Sequence, residues 1–151
     1  MITEQERREI AIGVAKSYLG TAYRWGGDDP SGFDCSGLMI ECLQSVGVLP
    51  RGRDFTAAMI WDRFPKKIFD QSEVKAGDLV FWKVRRSSRI IHIEMMINGE
   101  LAIGASGGGS KTKTLADAWR GNAYVKIRPA NSRAGIAGFI NPYQRGYDSI
   151  A

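Results

Sequence analysis

The sequence has few of the residues that bind metals or form cross-links. Its 151 residues include a single histidine, His92, and two cysteines, Cys35 and Cys42, with no CxxC pair. The common zinc-binding patterns are therefore excluded, and we expect neither a metal nor a cofactor. On one helix the two thiols would be separated by roughly 10 Å, which is too far for a disulfide. We therefore expect one cysteine to be catalytic and the other to be buried in the core.

Long apolar segments are also missing. The longest runs, such as Leu79–Trp82 and Met95–Ile97, are far too short to span a bilayer, so we expect no membrane partner. The first nine residues carry several charges and no apolar segment follows them, which is unlike a secretory signal. We therefore expect the protein to stay cytoplasmic until lysis, a virion or a secretion machine releases it.

The charged residues are mixed, with a basic excess. Lysine and arginine number 21 against 16 aspartates and glutamates, a formal net charge of +5. This charge favours polyanions, but it is equally typical of a solvated surface. The densest basic cluster is Arg85, Arg86 and Arg89, and no nucleic-acid-binding motif accompanies it, so no nucleic-acid partner is predicted. With 44% apolar and 25% charged residues, the composition predicts one globular domain over residues 1–151.

Helical patterns dominate the first part of the chain. Apolar residues recur at helical spacing from about residue 3 to 19, with Ile10 and Val14 on the expected buried face. A second helix is predicted to begin at Cys35, where Asp34 is well suited as the N-cap. Shorter helical stretches are predicted at 56–63 and 115–120.

The second half of the chain changes to strand patterns. Asn98 and Gly99 stand between two apolar runs, which is the strongest short-range signal for a hairpin. Strands are predicted at 78–84, 89–97, 100–105, 123–128 and 136–140. Helices followed by an antiparallel meander of about five strands predict an α+β fold.

Cys35 and His92 are the strongest candidates for catalytic residues. Cys35 follows a glycine-rich loop and opens a predicted helix, where free backbone N–H groups and the helix dipole favour the thiolate. A cysteine nucleophile also needs a base, and His92 is the single histidine available. Alone, the pair is a weak signal, because a core cysteine and a strand histidine would look the same.

Three short motifs accompany these residues in a specific order. They are YRWGG at residues 23–27, SGFDCSGL at 31–38 and AGDLVF at 76–81, with His92 following the last. Together they resemble the NlpC family of papain-like cell-wall cysteine peptidases, and the resemblance covers about residues 10–143. It implies a nucleophile helix packed on a central antiparallel sheet, with a peptidoglycan stem peptide as the substrate.

The resemblance also implies roles for individual residues. Cys35 matches the nucleophile and His92 the base, while the Tyr23 hydroxyl and the Cys35 N–H would stabilise a developing oxyanion. Trp25 either lines the substrate groove or is buried. The residues that match the flanks of the nucleophile, and are expected to support the site, are Asp34, Ser36 and Gly37.

The third catalytic group departs from the family pattern. The family usually has a polar residue, most often histidine, where this chain has Gly104. Glu94 lies two residues from His92 on the same strand face, where its carboxylate could orient the imidazole. Ser106, a backbone carbonyl or a water could do so instead. The site is therefore predicted as a Cys–His dyad with an unassigned orienter.

The predicted function is hydrolysis of an amide bond in peptidoglycan stem peptides or cross-links through a thioester on Cys35. The lack of a signal segment favours a phage-borne or particle-borne enzyme, with tail or particle proteins as further partners. Two alternatives stay open. One is an amidase or acyltransferase on the same fold. The other is a non-catalytic structural or plug component of a phage tail or secretion machine, which Gly104 keeps open.

Overall fold

The computed structural model of the protein describes residues 2–29 and 32–144, so Ser31 of the SGFDCSGL motif lies outside the described residues. The helices are α1 (Glu4–Ser17), α2 (Cys35–Ser45), α3 (Ala57–Arg63) and α4 (Leu115–Arg120). The strands are β1 (Asp28–Asp29), β2 (Gly32–Phe33), β3 (Leu79–Lys83), β4 (Ile90–Met96), β5 (Leu101–Ser106), β6 (Tyr124–Pro129) and β7 (Ile136–Ile140). Short 3-10 turns occupy Gln71–Glu73 and Ala130–Ser132. The hairpin of β1 and β2 was not indicated by the sequence patterns.

The five longer strands form one antiparallel sheet, in the order β6-β5-β4-β3-β7. The predicted α+β architecture is confirmed. Its connectivity differs from a simple meander in one respect. After β6 the chain returns across the sheet, and β7 pairs with β3 rather than with its neighbour in sequence. As a result β3 and β4 are both interior strands.

Both faces of the sheet are buried. On one face, Leu38 and Leu43 of helix α2 belong to the same large apolar cluster as Phe81 and Ile93 of the sheet. A smaller cluster covers the other face, and its members are Val74, Val80, Trp82, Met96, Ala102, Ala130 and Phe139. Burial on both faces explains why β3 is a continuous apolar run instead of an alternating one.

Helix α1 begins with the capping box that Thr3 and Glu6 form, because each side chain bonds the other residue's backbone N–H. Of the expected buried face, Ile10 is exposed, whereas Val14 is half-buried against the core; the fully buried apolar residues are Ala11 and Ala15. Small side chains let this helix approach the rest of the core closely. Among the described residues, no helix combines the length and the apolar character that a membrane crossing requires.

A buried ion pair fixes α1 to the start of β3. Arg8 Nη1 donates to Asp78 Oδ1 at 2.8 Å and to the Ala76 carbonyl at 2.9 Å. Asp78 Oδ2 accepts from the Lys75 backbone N–H at 2.8 Å, so both carboxylate oxygens are used. Tyr143 stacks beside the Arg8 guanidinium and donates its hydroxyl to the Gly77 carbonyl. The AGD segment of the AGDLVF motif therefore has a structural role, which is to stabilise the fold.

Replacing Asp78 by alanine should lower the free energy of unfolding by about 3 kcal/mol or more. The reason is that the Asp78 side chain is 1% exposed and the Arg8 side chain 3%, so the arginine would lose its buried partner and keep the more exposed Glu4 carboxylate at Nε. Urea denaturation of the wild type and the variant measures the difference. The exposed Asp62→Ala substitution is the control, expected to change stability by less than about 0.5 kcal/mol. Equal loss in both variants would contradict the proposed anchoring role.

Candidate active site

The site is organised around the N-terminus of α2. Asp34 is the N-cap of this helix, and its Oδ1 accepts from the Gly37 backbone N–H at 2.7 Å. Its second oxygen accepts from the Gly26 N–H at 3.1 Å, and the Ser36 hydroxyl lies 3.3 Å from Oδ1. One carboxylate thus caps the nucleophile helix and ties the YRWGG loop to it. Asp34 and Ser36 lie where the sequence places site support.

Gly37 is required by a close backbone crossing. A Cβ atom at this position would lie 2.0 Å from the carbonyl oxygen of Gly27 and 2.8 Å from Asp34 Oδ1. Because these are backbone and capping atoms that cannot move aside, only glycine fits on the first turn of α2. The crossing holds the glycine-rich loop directly against the first turn of α2, two residues after Cys35.

The Cys35 thiol lies against β4 beside His92. Its sulfur is stabilised by hydrogen bonds from the backbone N–H groups of Ile93 and Ser36. Burial, with the Asp34 charge adding to it, raises the pKa of Cys35 to about 11. The expectation that the helix N-terminus would favour the thiolate is therefore wrong for the free protein, since desolvation outweighs it. Cys42 is fully buried in the core, and burial raises its pKa to about 12.

His92 is 5% exposed, and its ring lies on that of Trp82 with centroids 5.2 Å apart. Its Nε2 is 2.6 Å from Glu94 Oε2. A carboxylate can only accept, so Nε2 carries the proton in the neutral ring and Nδ1 is left as the basic nitrogen. Burial lowers the pKa of His92, while Glu94 opposes that shift. At neutral pH the resting pair is a neutral thiol and a neutral imidazole.

Among the described residues no hydrogen bond joins Cys35 and His92 directly. Their proximity follows from the contact of the sulfur with the N–H of Ile93, the next residue after His92. Hydrogen bonds between a nucleophile and its base commonly tighten only when substrate is bound. The general base, His92, is therefore the residue next to Ile93, whose backbone N–H contacts the Cys35 sulfur.

Glu94 fills the space that Gly104 leaves open. A Cβ atom at Gly104 would lie 2.4 Å from Glu94 Cγ and 2.9 Å from its Cδ, so a side chain there would collide with the carboxylate arm. β4 and β5 pair through Met95 and Ile103, and Gly104 is the next position along that register. The missing side chain on β5 is what allows the carboxylate on β4 to reach His92.

Arg128 on β6 completes the surroundings of Glu94. Its Nη2 donates to the Ser106 hydroxyl at 2.6 Å and lies 3.5 Å from Glu94 Oε2. Ser106 was one of the predicted orienters, but its hydrogen bond goes to Arg128 and not to His92. No local sequence pattern indicates Arg128 as a site residue, because its position beside Ser106 depends on the pairing of β5 with β6.

Tyr23 and Trp25 differ in burial. Tyr23 is 4% exposed, and its hydroxyl is electrostatically coupled to Cys35, Asp34 and Arg133. Burial raises the pKa of Tyr23, so the phenol stays protonated and able to donate. Trp25 is 53% exposed, which excludes the buried alternative and leaves the groove role as a prediction. Within residues 2–29 and 32–144, no cluster of three or more His, Cys, Asp or Glu could hold a metal ion.

The ionisation of His92 can be measured without ambiguity, because it is the only histidine. We expect its pKa by NMR titration to lie below 6.5, since burial disfavours the imidazolium. Glu94→Gln removes the charge that favours the imidazolium and should lower this pKa further. Arg128→Gln removes a cation that disfavours it and should raise the pKa. Arg51→Gln, in the exposed turn beyond the C-terminal end of α2, should leave it unchanged. A rise in Glu94→Gln would contradict the assignment.

A cysteine that opens a helix, facing an antiparallel strand that carries a carboxylate-bound histidine, defines the class of papain-like cysteine peptidases. The match to known sequences is more specific. A model described as the NlpC/P60 family matches residues 20–129, and the chain belongs to this family.

Known relatives agree with this assignment. The chain is 34% identical over 108 residues to dipeptidyl-peptidase 6 of Lysinibacillus sphaericus, covering 72% of this chain and 36% of that protein. It is 31% identical over 98 residues to murein DD-endopeptidase MepH of Escherichia coli strain K12, covering 64% and 35%. The NlpC/p60 domain of peptidoglycan hydrolase SagA superposes with a TM-score of 0.62 at 29% identity, covering 88% and 97%. The chain thus spans about a third of the length of these two curated relatives and nearly all of the solved domain.

Proposed function

We propose that this chain is a cysteine endopeptidase that hydrolyses an amide bond in peptidoglycan stem peptides or their cross-links. The observation that carries the proposal is the buried 2.6 Å contact between His92 Nε2 and Glu94 Oε2, next to the Cys35 thiol. This contact fixes the tautomer that a general base needs. Family membership supports the substrate class, because relatives are named murein DD-endopeptidase and peptidoglycan hydrolase.

The reaction begins from the neutral pair. As the Cys35 sulfur attacks the carbonyl carbon of the scissile amide, the thiol proton moves to His92 Nδ1. The positive charge that develops on the ring is stabilised by Glu94, which accepts the Nε2 proton in a hydrogen bond. Burial of both groups makes this interaction stronger than it would be in water. Glu94 thus acts as a positioning residue that works through His92.

The negative charge that develops on the former carbonyl oxygen must be stabilised by hydrogen-bond donors. The backbone N–H of Cys35 is at the first position of α2, where N–H groups have no partner within the helix. The Tyr23 hydroxyl is a second donor, kept protonated by burial. Two such donors pre-arranged around the oxygen form an oxyanion site.

The intermediate then breaks down in two stages. His92 gives its proton to the leaving nitrogen, the C–N bond breaks and an acyl thioester remains on Cys35. Water attacks the thioester as Nδ1 takes its proton, and that proton then returns to the departing sulfur. The protein, the peptide and water supply every atom and proton that the reaction needs.

The alternative of a non-catalytic tail or plug component depended on Gly104. With Glu94 occupying the place beside His92, the lack of a side chain at position 104 no longer favours that alternative. We propose as the context an enzyme that is carried to the wall by lysis, a virion or a secretion machine. Phage tail or particle proteins would then be its partners.

Product analysis tests the proposal. Purified peptidoglycan is incubated with the wild-type protein, and the released fragments are identified by mass spectrometry together with their newly formed amino groups. We expect new amino ends within the stem peptides or cross-links and no hydrolysis of lipid or simple acyl amides. Release of acyl groups from the simple amides alone would favour the amidase or acyltransferase alternative and overturn this one.

A further inference from the structure

Arg133 stands beside the site but has no part in the mechanism above. It follows the 3-10 turn Ala130–Ser132, and its carbonyl accepts a hydrogen bond from Trp82 Nε1 at 3.0 Å. Its guanidinium carbon lies 5.8 Å from the centre of the Trp82 ring, which in turn lies 5.2 Å from the His92 ring. Trp82 is 1% exposed, so this buried indole fixes Arg133 next to the general base.

The charge of Arg133 reaches the reacting groups. Burial raises the pKa values of Cys35 and Tyr23 and lowers that of His92; the Arg133 charge partly opposes the first two shifts and adds to the third. The guanidinium, held on Trp82 beside His92, therefore lies near the groups that would surround the carbonyl of a bound substrate.

Arg133 also has no anionic partner within the described residues. The other arginine near the site, Arg128, donates to Ser106 and lies 3.5 Å from Glu94. No ion pair or side-chain hydrogen bond is made by Arg133, although it is only partly exposed. A partly desolvated guanidinium with five N–H donors is costly to leave without acceptors. An anion arriving with the substrate would supply them.

We propose that Arg133 is a specificity residue that binds a free carboxylate of the substrate adjacent to the scissile amide. The inference rests on the proposed function for the identity of that substrate as a wall peptide. A carboxylate matches the planar fork of a guanidinium in a bidentate contact. The Trp82 face holds the guanidinium by a cation–π contact, so little freedom is lost on binding. A substrate in which this carboxyl group is amidated loses one acceptor and the charge.

The test uses two synthetic stem peptides that differ only in this carboxyl group, free in one and a carboxamide in the other. We expect the wild type to cleave the free acid with a kcat/KM about 10- to 100-fold higher, mainly through KM. Arg133→Gln should remove the preference by weakening the acid peptide alone. Arg133→Lys, which keeps the charge but not the fork, should retain part of it. Arg51→Gln is the matched control and should keep the full preference.

Other results would contradict the proposed carboxylate contact. If Arg133→Gln lowers kcat for both peptides by the same factor, Arg133 acts on the thiol or the imidazole and the proposed carboxylate contact is wrong. Calorimetric binding of both peptides to Cys35→Ala separates recognition from turnover. If the wild type cleaves neither peptide, the proposed function fails. Preferential binding of the acid, lost in Cys35→Ala/Arg133→Gln, would still support the carboxylate site, and equal binding would overturn it.

Discussion

Replacing Cys35 by alanine should reduce peptide release from purified peptidoglycan by about 10⁴-fold or more. Within the described part of the chain, the thiol is the nucleophile beside His92 that can form an acyl intermediate, and alanine removes it without adding volume. The remaining activity would come from the oxyanion donors and substrate binding alone. The measurement is the rate at which new amino groups appear, compared at equal concentrations of folded protein.

Cys42→Ala is the control for this substitution. Cys42 lies on the same helix but is fully buried in the core, so its loss should cost some stability while leaving the rate within about a factor of two. The two variants together separate loss of a thiol from loss of the nucleophile. Equal hydrolysis by the wild type and Cys35→Ala would end the catalytic interpretation of the fold.

Gly104→Ala should lower kcat by about 100-fold although it adds a single methyl group. The new Cβ would lie 2.4 Å from Glu94 Cγ, so the carboxylate arm must leave its place beside His92. Glu94→Gly should have a similar or larger effect, because it removes the carboxylate outright. Steady-state kinetics with a stem peptide measures both. Gly13→Ala, whose Cβ would have no atom within 4 Å, is the matched control and should keep full activity.

A double substitution tests whether an orienting side chain at position 104 can replace Glu94. In Glu94→Gly/Gly104→His the orienting group returns to the strand on which the family usually carries it, and the space left by Glu94 accommodates the new ring. We expect the double variant to recover at least about tenfold over Glu94→Gly. Melting temperatures of all four variants show whether the fold is intact. If Gly104→Ala keeps wild-type activity with Glu94 still required, the steric coupling of the two positions is wrong.

Local signals account for most of what the sequence could predict. Asp34 before Cys35 predicts the start of α2, and Asn98-Gly99 predicts the β4–β5 hairpin, because caps and tight turns depend on neighbouring residues only. The return of β7 to β3 could not be predicted in this way. It depends on contacts between residues far apart in the chain, for which no local pattern exists.

The chemistry of the site was also only partly predictable. Glu94 was one of several candidate orienters, and the choice depends on which residue of β5 lies beside it. The pKa of Cys35 was expected to be depressed by the helix N-terminus, yet burial raises it to about 11. Burial of a thiol is a property of the packed structure, so a sequence motif shows the nucleophile but not its state of protonation.

The position of β7 beside β3 has a practical consequence for where this folding unit ends. The family match stops at Pro129, but β7, Arg133 and Tyr143 all follow that residue. A chain cut at Pro129 would turn β3 into an edge strand with a row of unpaired N–H and C=O groups, which invites self-association. It would also lose the hydroxyl that holds the Gly77 carbonyl. The smallest fragment worth expressing therefore extends at least through Tyr143.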